Sequence, residues 1–240
     1  MTRKTLLWLS VIAVLAVLVA YQVAVTSEGE RAREFAARAD VPTVAPGVDV
    51  LAGITVVPAR IHRYDYRRAA YGDAWTDDND APGGHNGCDT RDDILDRDLV
   101  DKTYVWIKRC PNAVETGTLH DPYTNATINF HRGAGVGASV EIDHIVPLAL
   151  AWDMAAYDWP VAERVRFAND PANLLAVEGK ANEDKGDSQP ALWMPPNNAF
   201  WCQYAMQYIA VSRGYGLPID QASADALRQA TATCPAGQPG

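Results

Sequence analysis

The chain has 240 residues, of which 48% are hydrophobic and 21% charged, and its formal net charge is −9. This composition suits one globular domain of moderate size with an N-terminal appendage. The acidic balance argues against tight, sequence-blind binding along a nucleic-acid backbone. It leaves room for a local basic groove, because the field follows the distribution of charge and not its sum.

Arg3 and Lys4 precede an apolar run from Leu6 to Val25, broken only by Ser10 and Gln22. Such a run is a secretory signal or a transmembrane anchor. Its charges lie on the N-terminal side, so the rest of the chain is expected outside the cytoplasm, secreted or tethered to the membrane if the run is not cleaved. Ala24-Val25-Thr26 is an acceptable small-residue cleavage site, and the lack of a nearby cysteine argues against a lipoprotein anchor. Residues 1–27 are therefore read as signal peptide or anchor. Residues 28–58 are read as a juxtamembrane segment, with a short charged helix over Glu28 to Ala39 and a Pro/Gly-bearing linker. The catalytic-size domain is expected over 59–234, and 235–240 is a loose tail.

Arg60, Arg63, Arg67 and Arg68 are the densest basic cluster, suited either to phosphate contact or to a solvated face with helix ion pairs. Asp77 to Gly84 reads as a solvated turn, since the spacing and terminal glutamate of a calcium loop are missing. Thr90 to Val100 has a helical pattern, with Thr90 as cap, Asp92 and Asp93 in the first turn, and Ile94, Leu95 and Leu99 as the apolar stripe. Thr103 to Arg109 alternates like a strand, Pro111 to Gly117 reads as a turn, and Thr127 to Phe130 as another strand. A glycine-rich stretch, Gly133 to Gly137, follows.

Val140 to Leu148 (Val-Glu-Ile-Asp-His-Ile-Val-Pro-Leu) is a short apolar run that ends in an Asp-His pair, and Pro147 forbids its continuation as a central strand. Two helices are expected next, one over Leu148 to Met154 and one starting at Pro160 and running to Ala168. Ala172 to Val177 reads as a second strand, and a helix starts around Asn182. Asn197 or Asn198 can cap a strong helix in which Phe200, Tyr204 and Tyr208 recur at i, i+4 and i+8 as core residues. A last helix is expected over Ser223 to Thr233. There is no internal repeat.

The four cysteines, Cys88, Cys110, Cys202 and Cys234, suggest two disulfides in an exported chain. Three connectivities are open. Sequence-local pairing is the simplest, because Cys88 and Cys110 flank one helix–strand unit and Cys202 and Cys234 flank the last two helices. A zinc site built from His85, Cys88 and Cys110 is the rival reading, weakened by the absence of a second ligand pair.

Hydrolysing a phosphodiester needs an activated water, a cation on the phosphoryl oxygens and stabilisation of the leaving oxygen. Asp143 supplies a hard anionic oxygen suited to magnesium or manganese. His144 is a natural base for water. On a strand, neighbouring side chains point oppositely, so the two can serve one site only where the strand ends or bends. Glu141 shares the strand face of Asp143, as a contact to a metal through water or as an edge residue. His62, His85, His120 and His131 have no paired motif around them, and Asp121-Pro122-Tyr123 reads as a structural turn.

Taken as an ordered set, several segments resemble the HNH endonuclease family, in particular its secreted bacterial subgroup. They are Gly87 to Leu95, Asp121 to Thr124, Ile142 to Leu148, Phe167 to Pro171, Asn173-Leu174, Asn182 to Asp187 and Trp193 to Pro196. The resemblance implies an α+β fold in which a ββα-metal core is embedded in a mostly helical domain. It implies a metal-dependent endonuclease acting on DNA, with RNA as a second substrate class; no protein partner is evident from the sequence. By the same resemblance His144 is the general base, Asp143 and Asn182 hold one divalent cation, and Asn173 clamps the loop that aims His144. Asn182 stands where many relatives have histidine, which favours magnesium or manganese over zinc. Lys185, one helical turn further on, is placed to reach a phosphate or to be an exposed helix charge. Arg91 and Arg132 are candidates for holding the substrate backbone, or for structural ion pairs. Two other classes compete: an exported binding module that keeps the fold without catalysis, and a cell-wall hydrolase suggested only by export and many carboxylates.

Overall fold

A computed structural model describes residues 42–133 and 139–236. The apolar run, the charged segment after it, most of the glycine-rich stretch and the extreme C-terminus lie outside the described residues. Among the described residues no helix is long and apolar enough to cross a membrane.

Helix α1 (Thr90–Asp98) is capped by Asp89, whose side chain accepts from the Asp92 backbone N–H. Thr90 therefore sits inside the helix rather than capping it, and its hydroxyl donates to Asn169 Oδ1 at 2.8 Å. Strands β2 (Val100–Ile107), β3 (Cys110–His120) and β4 (Thr127–His131) form an antiparallel sheet in that order. The expected turn over Pro111 to Gly117 is thus strand. The chain reverses at Lys108-Arg109, between the paired Ile107 and Cys110, with Lys108 in the left-handed region at φ 53°. Pro111 is tolerated because β4 pairs with β3 only from Thr116 onward, so the missing N–H has no ladder partner to disappoint. Ile94, Leu95 and Leu99 pack with Val114, Leu119 and Phe130.

Strand β5 (Val140–His144) pairs antiparallel with β6 (Leu174–Glu178), and helix α4 (Gly179–Lys185) follows β6 directly. Between the two strands lie helices α2 (Leu148–Asp153) and α3 (Val161–Asn169), where they were expected. Val140 and Ile142 of β5 are buried in the same cluster as α1 and the three-stranded sheet. With a side-chain period of two, this fixes Glu141 and Asp143 on the opposite face.

A second, larger cluster gathers α2, α3, helix α5 (Trp201–Gly214) and helix α6 (Gln221–Thr231). Tyr204, Tyr208 and Ile209 of α5 are buried in it, which matches the expected aromatic core face. The segment expected as linker contributes as well. Leu51 is 3% exposed within this cluster, and β1 (Val56–Val57) pairs in parallel with β7 (Ile219–Asp220), so the compact unit begins at Pro42 rather than near residue 59. Disulfides join Cys88 to Cys110 and Cys202 to Cys234, the sequence-local pairing. This removes the cysteines from any zinc site.

Candidate active site

A cleft of about 590 Å³ opens at the C-terminal end of β5. Asp143 and His144 both line it, although their side chains lead to opposite faces as strand alternation requires. The site is assembled where the strand stops.

His144 is buried, and its ring lies parallel to that of Trp75, with centroids 5.4 Å apart and an interplanar angle of 11°. Its Nε2 is 2.9 Å from the carbonyl oxygen of Ala168. A carbonyl only accepts, so Nε2 carries the proton and a neutral ring keeps its lone pair on Nδ1. Burial pushes the imidazole down to about 3; the Ala168 hydrogen bond opposes the shift, and the charges of Arg68 and Lys185 add to it. The ring is therefore neutral at neutral pH.

Asn173 is wholly buried and clamps the loop after His144. Its carbonyl accepts from Ile145 N–H at 2.8 Å, its Oδ1 accepts from Val146 N–H at 2.8 Å, and its Nδ2 donates to the Val146 carbonyl at 3.3 Å. The Asp170 side chain caps the short turn Pro171–Asn173 that presents it.

Lys185 overturns both expectations for it. It is neither near the surface nor free for phosphate: its side chain is 0% exposed, and its ammonium donates to both oxygens of Asp143 and to the His144 carbonyl. The hydroxyl of buried Tyr123 donates to the same carboxylate. Burial pushes the Asp143 carboxyl up and the Lys185 ammonium down, and the attraction between the two opposes both shifts. The Asp121 turn keeps its structural role, with one oxygen accepting from Glu178 N–H at 2.9 Å and the other from Thr124. Sequence reasoning missed that the same turn delivers Tyr123 to Asp143.

Asn182 donates through Nδ2 to Glu141 Oε2 at 2.7 Å, and both residues line the cleft. Arg91 also lines it, holding the Val140 carbonyl at 3.0 Å. Arg132 does not line it. It is a structural residue that bridges Asp92 and the Val114 carbonyl. Tyr66 and Trp75, which the sequence reading did not assign, line the cleft as well, together with Arg68 of the basic cluster. The density of arginines over residues 60–68 was the available signal, without a means to tell its members apart.

Among the described residues no group of three or more His, Cys, Asp or Glu is arranged to hold a metal. Glu141, Asp143 and Asn182, each with a side-chain oxygen, nevertheless line one cleft, and magnesium commonly takes only one or two protein ligands beside water and substrate phosphate. This donor set fits a hard cation of that kind. Asp143 is already engaged by Lys185 and Tyr123, whereas Glu141 and Asn182 are bound to each other at the cleft surface.

Residues 89–230 match the family described as GmrSD restriction endonucleases, C-terminal domain. A stretch of 150 residues is 37% identical to an "Uncharacterized secreted protein" of Arthroderma benhamiae, covering 61% of this chain and 68% of that protein. No solved structure matches. The match spans β5, β6 and α4 with Asp143, His144, Asn173 and Asn182, and by it this chain belongs to the family of GmrSD restriction endonuclease C-terminal domains.

Proposed function

We propose that the chain is an exported, metal-dependent endonuclease of the HNH type, hydrolysing phosphodiester bonds of DNA and possessing the chemistry to cut RNA. The observation that carries this reading is a neutral His144 whose Nε2–H is committed to Ala168, on a loop fixed by Asn173, at the edge of a cleft lined with oxygen donors. His144 Nδ1 takes the proton from the attacking water. Asn173 keeps the ring aimed, and Trp75 stacked against it restricts its rotation. Asn182 and a β5 carboxylate, Asp143 in the reading carried from the sequence with Glu141 beside it, hold magnesium or manganese. That cation, when bound, stabilises charge on the scissile phosphate and the leaving 3′ oxygen. Products then carry 5′-phosphate and 3′-hydroxyl ends.

Export is supported by two disulfides, a feature of oxidising compartments, and by the relative described as secreted. The acidic net charge favours the second reading, an exported binding module without catalysis. Supercoiled plasmid incubated with the purified chain and magnesium or manganese separates the two. Nicking that stops on chelation supports the endonuclease, and intact plasmid under all conditions leaves the binding module.

A further inference from the structure

The matched family domain begins at residue 89, yet the cleft is not closed without residues ahead of it. Tyr66, Arg68 and Trp75 line it together with Glu141, Asp143 and Asp187. A phosphodiester anion entering this cleft meets carboxylates, and needs a cationic partner from the protein. The arginines nearby are largely spoken for. Arg60 binds Asp153 at 2.6 Å and Asp187 at 2.7 Å, Arg63 binds Asp65 at 2.8 Å, and Arg91 donates to the Val140 carbonyl. Arg68 has no hydrogen bond or ion pair among the described residues, and it lines both the main cleft and the adjoining pocket floored by His144 and Ala168.

From this we infer that Arg68 is the substrate's phosphate-binding residue, supplied from outside the matched domain, beside the base that activates water. The inference rests on the endonuclease reading. A guanidinium offers paired donors that match phosphate oxygens. Its backbone is held firmly enough to present them. Arg68 opens the short turn Arg68–Tyr71, in which buried Tyr71 donates to the Leu148 carbonyl at 2.9 Å and Arg164 donates to the Ala70 carbonyl at 2.8 Å. The turn closes on Gly72, at φ +80°, where an added Cβ would lie 2.8 Å from Val165 Cγ2. Only glycine lets the segment approach α3 this closely.

The test compares the full chain with Arg68→Ala, Arg68→Lys and Arg67→Ala, the last altering an exposed neighbour that does not line the cleft. Two substrates are used with manganese: supercoiled plasmid and bis(p-nitrophenyl) phosphate, a phosphodiester without bases. Arg68→Ala is expected to lose about 10- to 100-fold in kcat/KM on both, the range for one charged hydrogen-bonding group. Arg68→Lys recovers part of the loss, and Arg67→Ala stays near the parent. The salt dependence of binding to a single-stranded oligonucleotide weakens by roughly one phosphate contact in Arg68→Ala. An active parent with an equally active Arg68→Ala overturns the assignment alone. Equal losses in Arg67→Ala and Arg68→Ala also overturn it, by reducing the effect to net charge. A parent that cuts neither substrate takes down the endonuclease reading and this inference together.

Discussion

The ammonium of Lys185 lies 2.8 and 2.6 Å from the two oxygens of Asp143, with no solvent exposure on the lysine side chain. Its third donor goes to the carbonyl of His144 at 2.6 Å, so one side chain at the end of α4 latches the helix to the last two residues of β5. Removing one partner of a buried pair strands the other charge, which costs about 3–5 kcal/mol. Lys185→Met should therefore destabilise the domain by about that much in denaturant unfolding. Lys185→Met combined with Asp143→Asn should recover a large part of the loss. A double variant no more stable than Lys185→Met would show that the pair is not the source.

His144 and Asn173 should separate by what they lose. His144→Ala removes a positioned base and should slow nicking by about 10²–10⁴-fold, and by taking the donor from the buried Ala168 carbonyl it should also cost about 1–3 kcal/mol of stability, far too little to account for that loss of rate. Asn173→Ala leaves Val146 N–H without its acceptor in a buried place, at about 1–3 kcal/mol, and should lower both stability and nicking rate. Parallel unfolding curves and initial rates on both variants check the pattern.

The two β5 carboxylates differ in what they already bind. Glu141 meets Asn182 at the cleft, while Asp143 is held by Lys185 and Tyr123. Titration of manganese into Glu141→Gln, Asp143→Asn and Asn182→Ala shows which carboxylate holds the cation. Asn182→Ala should bind manganese more weakly than the parent. If Asp143 is the ligand, Asp143→Asn loses affinity and Glu141→Gln does not; the reverse outcome moves the role to Glu141.

The disulfides close stretches of 22 and 32 residues by sequence separation. The chain-entropy expectation for each is about 3–4 kcal/mol. Replacing Cys202 and Cys234 together by alanine should lower the melting temperature, and so should replacing Cys88 and Cys110. Peptide mapping without reductant that joined Cys88 to Cys202 or Cys234 would contradict the pairing.

Asp65 belongs to the segment that presents Tyr66 and Arg68 to the cleft. Hydrogen bonds from Arg63 and from Trp152 Nε1 hold its carboxyl down to about 2. A carboxyl lowered on folding contributes stability that is complete above its unfolded value and lost as pH falls through the folded one. This contribution should be intact above about pH 4 and disappear towards pH 2. In Arg63→Gln the Asp65 titration, followed by NMR, should move upward towards the ordinary carboxylate value.

The sequence by itself determined the elements whose signals are local. The Asp-His pair before Pro147, the 3.6-residue aromatic period of α5 and the two helices between the paired strands depend on near neighbours, and they stand in the structure, whereas of the three cysteine connectivities left open only the fold selects the sequence-local one. Local signals failed where a distant partner decided the outcome. Pro111 to Gly117 carries turn residues, but pairing with β2 and β4 holds it as strand. Lys185 follows Asn182 by one helical turn and reads as a surface charge; its burial depends on Asp143, which lies 42 residues earlier in the chain. The arginine cluster read as one patch, and only tertiary contacts tied Arg60 to Asp153 and left Arg68 facing the cleft. Charge and hydrogen-bonding capacity are written in the sequence, but which partner satisfies them is settled by packing between residues far apart along the chain.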